Sequence, residues 1–346
     1  MARIFLSHAP HAFAHYYGAR ALAGLAALGD VVRNPTDHPL STPDLLAASE
    51  GCQVIVSDRN TPGEAALFER HRTLEAFVRC AMDIRTVDVP AATAHGILVT
   101  RASAGFDASV AELVVGAMID LSRDLSANVV AYRAGRPVTI RMGRELRGST
   151  LGILGYGFIG RYLGRLGAAL GMEVLVHDPH LAPNLPPRFA QDLATGADAL
   201  PRACGFEELL RASDYVVCLV VATPDTENLV DARAFAAMKP TAFFVNASRG
   251  NLVDEAALVQ ALDDGRIAGA AIDVGRAPDQ MPSPHLARRA DVIASPHVGG
   301  LTPPAIEHQS METVRQTEAI LAGRFPTGSV NPDQATRIIR RGGGPR

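Results

Sequence analysis

The sequence predicts an α/β fold, a doubly wound parallel sheet, and three observations carry that reading. Short apolar runs alternate along the chain with segments of helical period. One run leads into the turn Gly155-Tyr156-Gly157-Phe158-Ile159-Gly160. The next run ends on an acid, Asp178. Alternation of this kind favours parallel strands, because a parallel connection must cross a face of the sheet and a helix does so economically.

Arg3–Ser7 reads as the first strand, and Ala19–Leu28 as a helix closed by Gly29. Val54–Ser57 is a buried strand, Glu64–His71 a short helix and Gly96–Thr100 another strand. A long helix is expected over Ser109–Leu125, where Ser109 and Glu112 have the spacing of a capping box. Leu151–Leu154 is the strand before the glycine turn, Arg161–Leu170 the helix after it, and Glu173–His177 the strand that ends at Asp178. Tyr215–Val221, Ala242–Asn246, Gly269–Val274 and Val292–Ala294 read as further buried parallel strands. Leu181–Leu200 is rich in Pro, Ala and Asp and reads as a loop excursion. From Ala335 to Arg346 the apolar period is lost, and a disordered tail is expected.

Each residue type in the glycine turn has a physical task. Gly155 permits the tight turn, Gly157 leaves room for a pyrophosphate, and Gly160 lets the helix lie close to the sheet. Phe158 and Ile159 open that helix, whose free amides and partial positive charge suit phosphate. Asp178, followed by Pro179, can accept ribose hydroxyls and would repel a 2′-phosphate. The expected cofactor is therefore NAD rather than NADP.

Bulk properties narrow the classes further. A chain of 346 residues is long enough for about two domains, and 47% apolar residues can fill sizeable cores. No apolar run approaches the roughly 18 to 20 residues of a membrane span. Met1–Leu6 lacks the apolar core of a signal peptide. A net charge of −3 gives no electrostatic reason to expect nucleic acid, and the basic tail from Arg337 is too short to change that. Cys52, Cys80, Cys204 and Cys218 are scattered, as free thiols of a cytoplasmic protein would be. His8, His11 and His15 share a spacing that one helical face can present, but Pro10 interrupts them and no acid accompanies them, so no metal is expected.

Several stretches in fixed order carry a family resemblance. They are Leu146-Arg147-Gly148-Ser149-Thr150-Leu151-Gly152, Met238-Lys239-Pro240, Asn246-Ala247-Ser248-Arg249-Gly250, Leu252-Val253-Asp254-Glu255, Gly269-Ala270-Ala271-Ile272-Asp273-Val274 and Ser295-Pro296-His297-Val298-Gly299-Gly300. With looser matches at Val87–Ala92 and Ser109–Glu112, the chain resembles the D-isomer-specific 2-hydroxyacid dehydrogenases over roughly residues 50 to 330. The group includes reductases of the phosphoglycerate, glyoxylate and hydroxypyruvate type. The resemblance implies a Rossmann-type cofactor domain over 105–297 and a flavodoxin-like substrate domain split between 1–104 and 298–334. It also implies a hinged cleft, a small-molecule substrate and a homodimer.

Oxidising a 2-hydroxy acid needs a cation for the carboxylate and a base for the hydroxyl proton. Arg249, just after a strand, fits the first role through its planar fork. His297, in a Pro-His-x-Gly-Gly turn, fits the second with an unperturbed pKa of roughly 6.5. By resemblance Asp273 meets the nicotinamide carboxamide, Pro224 and Thr226 lie over the adenosine side, and Ala247, Arg249, His297 and Gly299 fall among the cofactor contacts.

Two stretches depart from the family pattern. The family carries a Glu just before a Pro, hydrogen-bonded to the catalytic His. Here the residue before Pro278 is Ala277, the loop is one residue short, and Asp279 is the nearest carboxylate. Without a carboxylate partner, His297 is expected to titrate lower than is usual in the family. The family's Gly-Val-Gly substrate loop reads Ala81-Met82-Asp83, which puts a negative charge where an anion should bind unless Asp83 turns onto Arg85 or Arg59. The expected activity is an NAD-dependent 2-hydroxy acid dehydrogenase. The alternatives are an NAD-binding regulator with little turnover, or a dehydrogenase of another small substrate such as formate or phosphite.

Overall fold

The computed structural model describes residues 1–138, 140–181, 201–277 and 279–339. The chain divides into two compact units, one of Met1–Gly105 with the chain from Leu301 onward, the other of Phe106–Gly300. The expected boundaries lay at 104/105 and 297/298; the observed crossings come one residue and three residues later.

The first unit is built on five strands: β1 (Arg3–Leu6), β2 (Asp30–Arg33), β3 (Val54–Ser57), β4 (Ala76–Arg79) and β5 (Leu98–Arg101). All pair in parallel, in the order β2-β1-β3-β4-β5. Strands β3 and β4 are buried along their whole length, as central strands covered on both faces must be. Strand β2 lies at the edge, is half exposed and carries only two apolar residues, which is why periodicity did not reveal it. Strand β4 ends on Arg79, a charged residue that is fully buried.

The second unit is a seven-stranded sheet: β6 (Thr150–Leu154), β7 (Glu173–His177), β8 (Arg202–Ala203), β9 (Tyr215–Cys218), β10 (Phe243–Asn246), β11 (Gly269–Ile272) and β12 (Val292–Ala294). Its order is β12-β11-β10-β9-β6-β7-β8, every pair parallel. The order reverses between β6 and β9, the place where such sheets open a crevice beyond their carboxyl ends. One face is packed by the Asp107–Arg123 helix through Ala111, Val114 and Met118. That helix starts two residues before Ser109, with Phe106 at its cap, so Ser109 and Glu112 stand inside it and do not form the expected capping box. Phe106 makes no side-chain cap hydrogen bond, so the start of this helix is not marked by a capping side chain.

The C-terminal segment departs from expectation. Ala335 and Ile338 are fully buried, and Thr336–Ile339 forms a short helix. Arg337 donates to the carbonyls of His71 (3.0 Å), Leu74 (2.6 Å) and His95 (2.9 Å). Two apolar residues are too few to register as a period, yet they complete the core of the first unit. Residues 340–346 and nearly all of the proposed excursion, 182–200, lie outside the described residues. No helix among the described residues is long and apolar enough to cross a membrane.

His8 stands just before the Pro10–Tyr16 helix that holds His11 and His15. It is buried against the Tyr17 ring at 4.8 Å between centroids. Burial lowers its pKa from 6.5 to about 4, against an opposing pull from Asp58. A histidine buried neutral is protonated more readily in the unfolded chain. Its stabilisation is therefore complete above 6.5 and is lost as pH falls toward 4. We expect His8→Gln to flatten the dependence of urea stability on pH across that window, where the native residue contributes a slope of roughly 1.4 kcal/mol per pH unit. An unaltered slope would show that His8 is not the titrating group.

Candidate active site

The second unit gathers its chemistry along one edge. Strand β6 ends at Leu154, and Gly155 turns the chain with φ +86° while its N–H donates to His177 O at 2.8 Å. A side chain at Gly155 would meet the Leu219 backbone at 2.8 Å, so both the dihedral and the space demand glycine. Gly157 caps the Phe158–Ala169 helix and has open space where a side chain would stand. Phe158 is 68% exposed, with the Arg161 guanidinium over its ring at 5.0 Å; Ile159 is half-buried. Asp178 follows β7 and leans back onto the turn. Its carboxylate accepts from Tyr156 N at 2.8 Å and from His180 N at 2.9 Å, so the acid and the glycine turn are held as one piece; Pro179 beside it is exposed.

Beyond β9, Thr223 and Thr226 cap the Pro224–Thr226 turn, with Thr223 N donating to Thr226 Oγ1 at 2.8 Å. Beyond β10 an Asn-centred turn presents Arg249. Asn246 Nδ2 donates to Arg249 O at 2.9 Å, Ser248 N donates to Asn246 Oδ1 at 3.1 Å, and Ser248 Oγ donates to Val220 O at 2.6 Å. Ala247 and Arg249 are half-buried, and the Arg249 Nη1 donates to Ser248 O at 2.7 Å.

Asp273, buried at the end of β11, receives three hydrogen bonds. They come from Ser295 Oγ (2.6 Å), Val298 N (2.9 Å) and Gly299 N (2.8 Å). These donors bracket His297, which is half-buried and held at φ +54°, a conformation that side chains other than Gly, Asn and Asp seldom adopt. The strained turn thus survives because a carboxylate on the neighbouring strand holds both its sides. Arg249, Asp273 and His297 therefore leave three adjacent strands, β10, β11 and β12, at the same edge.

The loop that departs from the family pattern folds tightly. Gly275 abuts Gly250, and a side chain on either would collide with backbone. Arg276 spans three loops, pairing with Glu227 at 2.7 Å, bonding Asn228, and donating to Val253 O at 2.8 Å. Glu227 also accepts from Asn251 at 2.8 Å, and these contacts depress its pKa, Asn251 most and Arg276 next. Asp279 is exposed, and its carboxylate accepts from Met281 N at 3.0 Å.

The first unit holds the remaining candidates at the carboxyl ends of β3 and β4. Asp83 is turned onto Arg85, whose Nε (3.0 Å) and Nη2 (2.7 Å) grip it as a fork. Met82 is exposed, and Ala81 and Arg59 are half-buried. Sequence reasoning passed over Arg79. Its buried guanidinium donates to Asp58 O, to Thr61 O at 2.9 Å and to Thr86 Oγ1 at 2.9 Å, which ties the loops after β3 and β4 together. Burial lowers its pKa to about 10, with Asp58 opposing. Ser295 and Arg276 were missed as well, because their partners lie on other strands or loops.

Comparison with known proteins gives concordant findings. The model of the D-isomer specific 2-hydroxyacid dehydrogenase NAD binding domain matches residues 115–299. The D-3-phosphoglycerate dehydrogenase of Mycobacterium leprae (strain TN) is 32% identical over 315 residues, covering 90% of this chain and 57% of that protein. The chain thus spans little more than half the length of the curated relatives it matches. Among solved structures, the TT0316 protein from Thermus thermophilus superposes with a TM-score of 0.81 at 27% identity, over 95% of this chain and 99% of that one. A putative D-isomer specific 2-hydroxyacid dehydrogenase from Polaromonas sp. JS6 66 has a TM-score of 0.83 at 20% identity, over 95% and 99% of the two chains, a likeness of fold.

The Asp273 contacts make a direct prediction. In Asp273→Asn one acceptor becomes a donor facing N–H or O–H groups, a loss of roughly 1–3 kcal/mol at the turn. Amide exchange at Val298 and Gly299 should accelerate about ten- to a hundredfold in hydrogen–deuterium exchange. Unchanged protection there would mean that the turn is held by other means.

Proposed function

The chain belongs to the D-isomer specific 2-hydroxyacid dehydrogenases, and on that premise we propose that it is an NAD-dependent oxidoreductase interconverting a 2-hydroxy acid and its 2-keto acid. The observation that carries this reading is the convergence of Arg249, Asp273 and His297 on adjacent strand ends of the sheet that also bears the glycine turn. The residues present fit the cofactor: open space at Gly157 faces a helix N-terminus, and Asp178 stands beside the turn with acceptor oxygens. A nicotinamide held there would supply hydride acceptance from C2 of the hydroxy acid, and hydride donation to the keto acid in reverse.

The chain's own groups do the rest. His297 takes the hydroxyl proton in oxidation and gives it back in reduction. Arg249 holds the carboxylate or keto oxygen through its fork and fixes which face of C2 is presented. The backbone of Ala81-Met82-Asp83 contributes to carboxylate binding, a role supported by the Asp83 charge being drawn onto Arg85. Asp178 sets the preference for NAD by repelling a 2′-phosphate. A homodimer is supported by the apolar residues exposed on the Leu125–Arg133 helix and in the segment after it, among them Val130, Tyr132, Ile140 (96%) and Met142 (100%). Free cysteines support a cytoplasmic setting.

A second reading, an NAD-binding regulator, is favoured by one observation: Asp279, the carboxylate nearest to the altered position, is exposed and engaged with its own loop. Oxidation of NADH against glyoxylate, hydroxypyruvate, pyruvate and branched or aromatic 2-keto acids decides between them. Turnover is expected with at least one acid, with His297→Ala lowering kcat by about 10²–10⁴-fold. Tight NADH binding with no turnover on any acid would favour the regulator.

A further inference from the structure

Arg276 stands in the loop that departs from the family pattern, and its guanidinium meets acceptors on two other loops. On one side Nη1 donates to Glu227 Oε1 at 2.7 Å, and Nη2 bonds Asn228 Oδ1. On the other side Nη2 donates to Asn251 O at 3.2 Å and to Val253 O at 2.8 Å, and Nε donates to Val253 O at 3.2 Å. Asn251 joins the two sides. Its Nδ2 donates to Glu227 Oε2 at 2.8 Å, and its carbonyl also accepts from Asn228 N at 2.9 Å. An exposed ion pair by itself contributes little. A planar fork shared among Glu227, Asn228, Asn251 and Val253 fixes them relative to one another, which a point charge on a flexible stem could not do.

The segment held in this way begins at Arg249. That residue has extended backbone and leads into the Gly250–Leu252 turn. Upstream it is held by its own loop, with Asn246 Nδ2 donating to Arg249 O at 2.9 Å. Downstream, Gly250 is buried so close to Gly275 and to Arg276 N that no side chain would fit between them. Backbone contact and guanidinium fork thus fix the chain just after Arg249 from the same neighbouring loop. We propose that Arg276 is a positioning residue of Arg249: its fork sets the course of the chain from Gly250 to Val253, and with it the place where the Arg249 guanidinium meets a substrate carboxylate. The proposal rests on the reading of Arg249 as the carboxylate-binding group. A misplacement of about 1 Å can cost on the order of a hundredfold in rate, so a residue that never touches substrate can govern turnover.

The test is a double-mutant cycle read by the binding of oxalate, a carboxylate that NADH does not reduce, to the NADH complex of the full chain, followed by NADH fluorescence. Arg276→Gln should weaken oxalate binding about tenfold beside Arg249, and less than about twofold beside Arg249→Lys, whose flexible ammonium depends less on how its loop is held. Glu227→Gln, which removes one charge and leaves Arg276 in place, should weaken it about two- to threefold with the same dependence on Arg249, and carries the cycle if Arg276→Gln does not fold. A loss of equal size in both Arg249 backgrounds, or no loss in either variant, overturns the proposal; a role in stability alone would give one of these results. Wild type binding oxalate no better than Arg249→Lys would overturn it as well. Turnover of the 2-keto acids is scored on the same proteins. Coupling in oxalate binding without turnover of any acid would remove the dehydrogenase reading and keep Arg276 as a positioning residue. Turnover without coupling would do the reverse.

Discussion

Parallel strands are the constraint on which the molecule is built. When every strand of a sheet runs the same way, every carboxyl end reaches the same edge, and each crossover helix starts there with unpaired amides. Residues far apart in sequence, from Gly155 to Gly299, are thereby brought to one line. The reversal of order between β6 and β9 then opens that line as a crevice. Chemistry at this edge needs no single dedicated loop; it needs each loop to end a strand correctly.

Loops so placed must be held, and the holding is done by side chains reaching from one strand end to the next. Asp178 holds the glycine turn, Asp273 the His297 turn, and Arg276 three loops together. In the first unit Arg79 does the same for the loops after β3 and β4. Each of these is a charged group meeting mostly backbone donors or acceptors. Such charge-assisted bonds are strong. They also explain how His297 and Gln280 keep left-handed backbone that neither would choose alone.

Much of this was legible in the residues. Strands such as Val54–Ser57, Glu173–His177 and Val292–Ala294 were read to the residue, because a short apolar run between turn signals has few other uses. Strand β2 was not, since an edge strand with two valines has no pattern to show. Among functional residues, Arg249 and His297 sit in compact local motifs. Arg79 and the Asp273 bonds to Ser295, Val298 and Gly299 depend on partners brought in by the fold. A charged Arg at a strand end reads as a surface residue until its burial is known.

The closing segment has a consequence for how the chain is made. Ile338 and Ala335 share a core with Ile4, Leu6 and Val54, so the first unit to begin leaving the ribosome is the last whose parts are all present. The second unit, contained within Phe106–Gly300, is complete while the C-terminal segment is still being translated. The two units are therefore completed in the reverse of the order in which they are begun. Until Ala335 and Ile338 join it, the core around Ile4, Leu6 and Val54 lacks two of its buried residues.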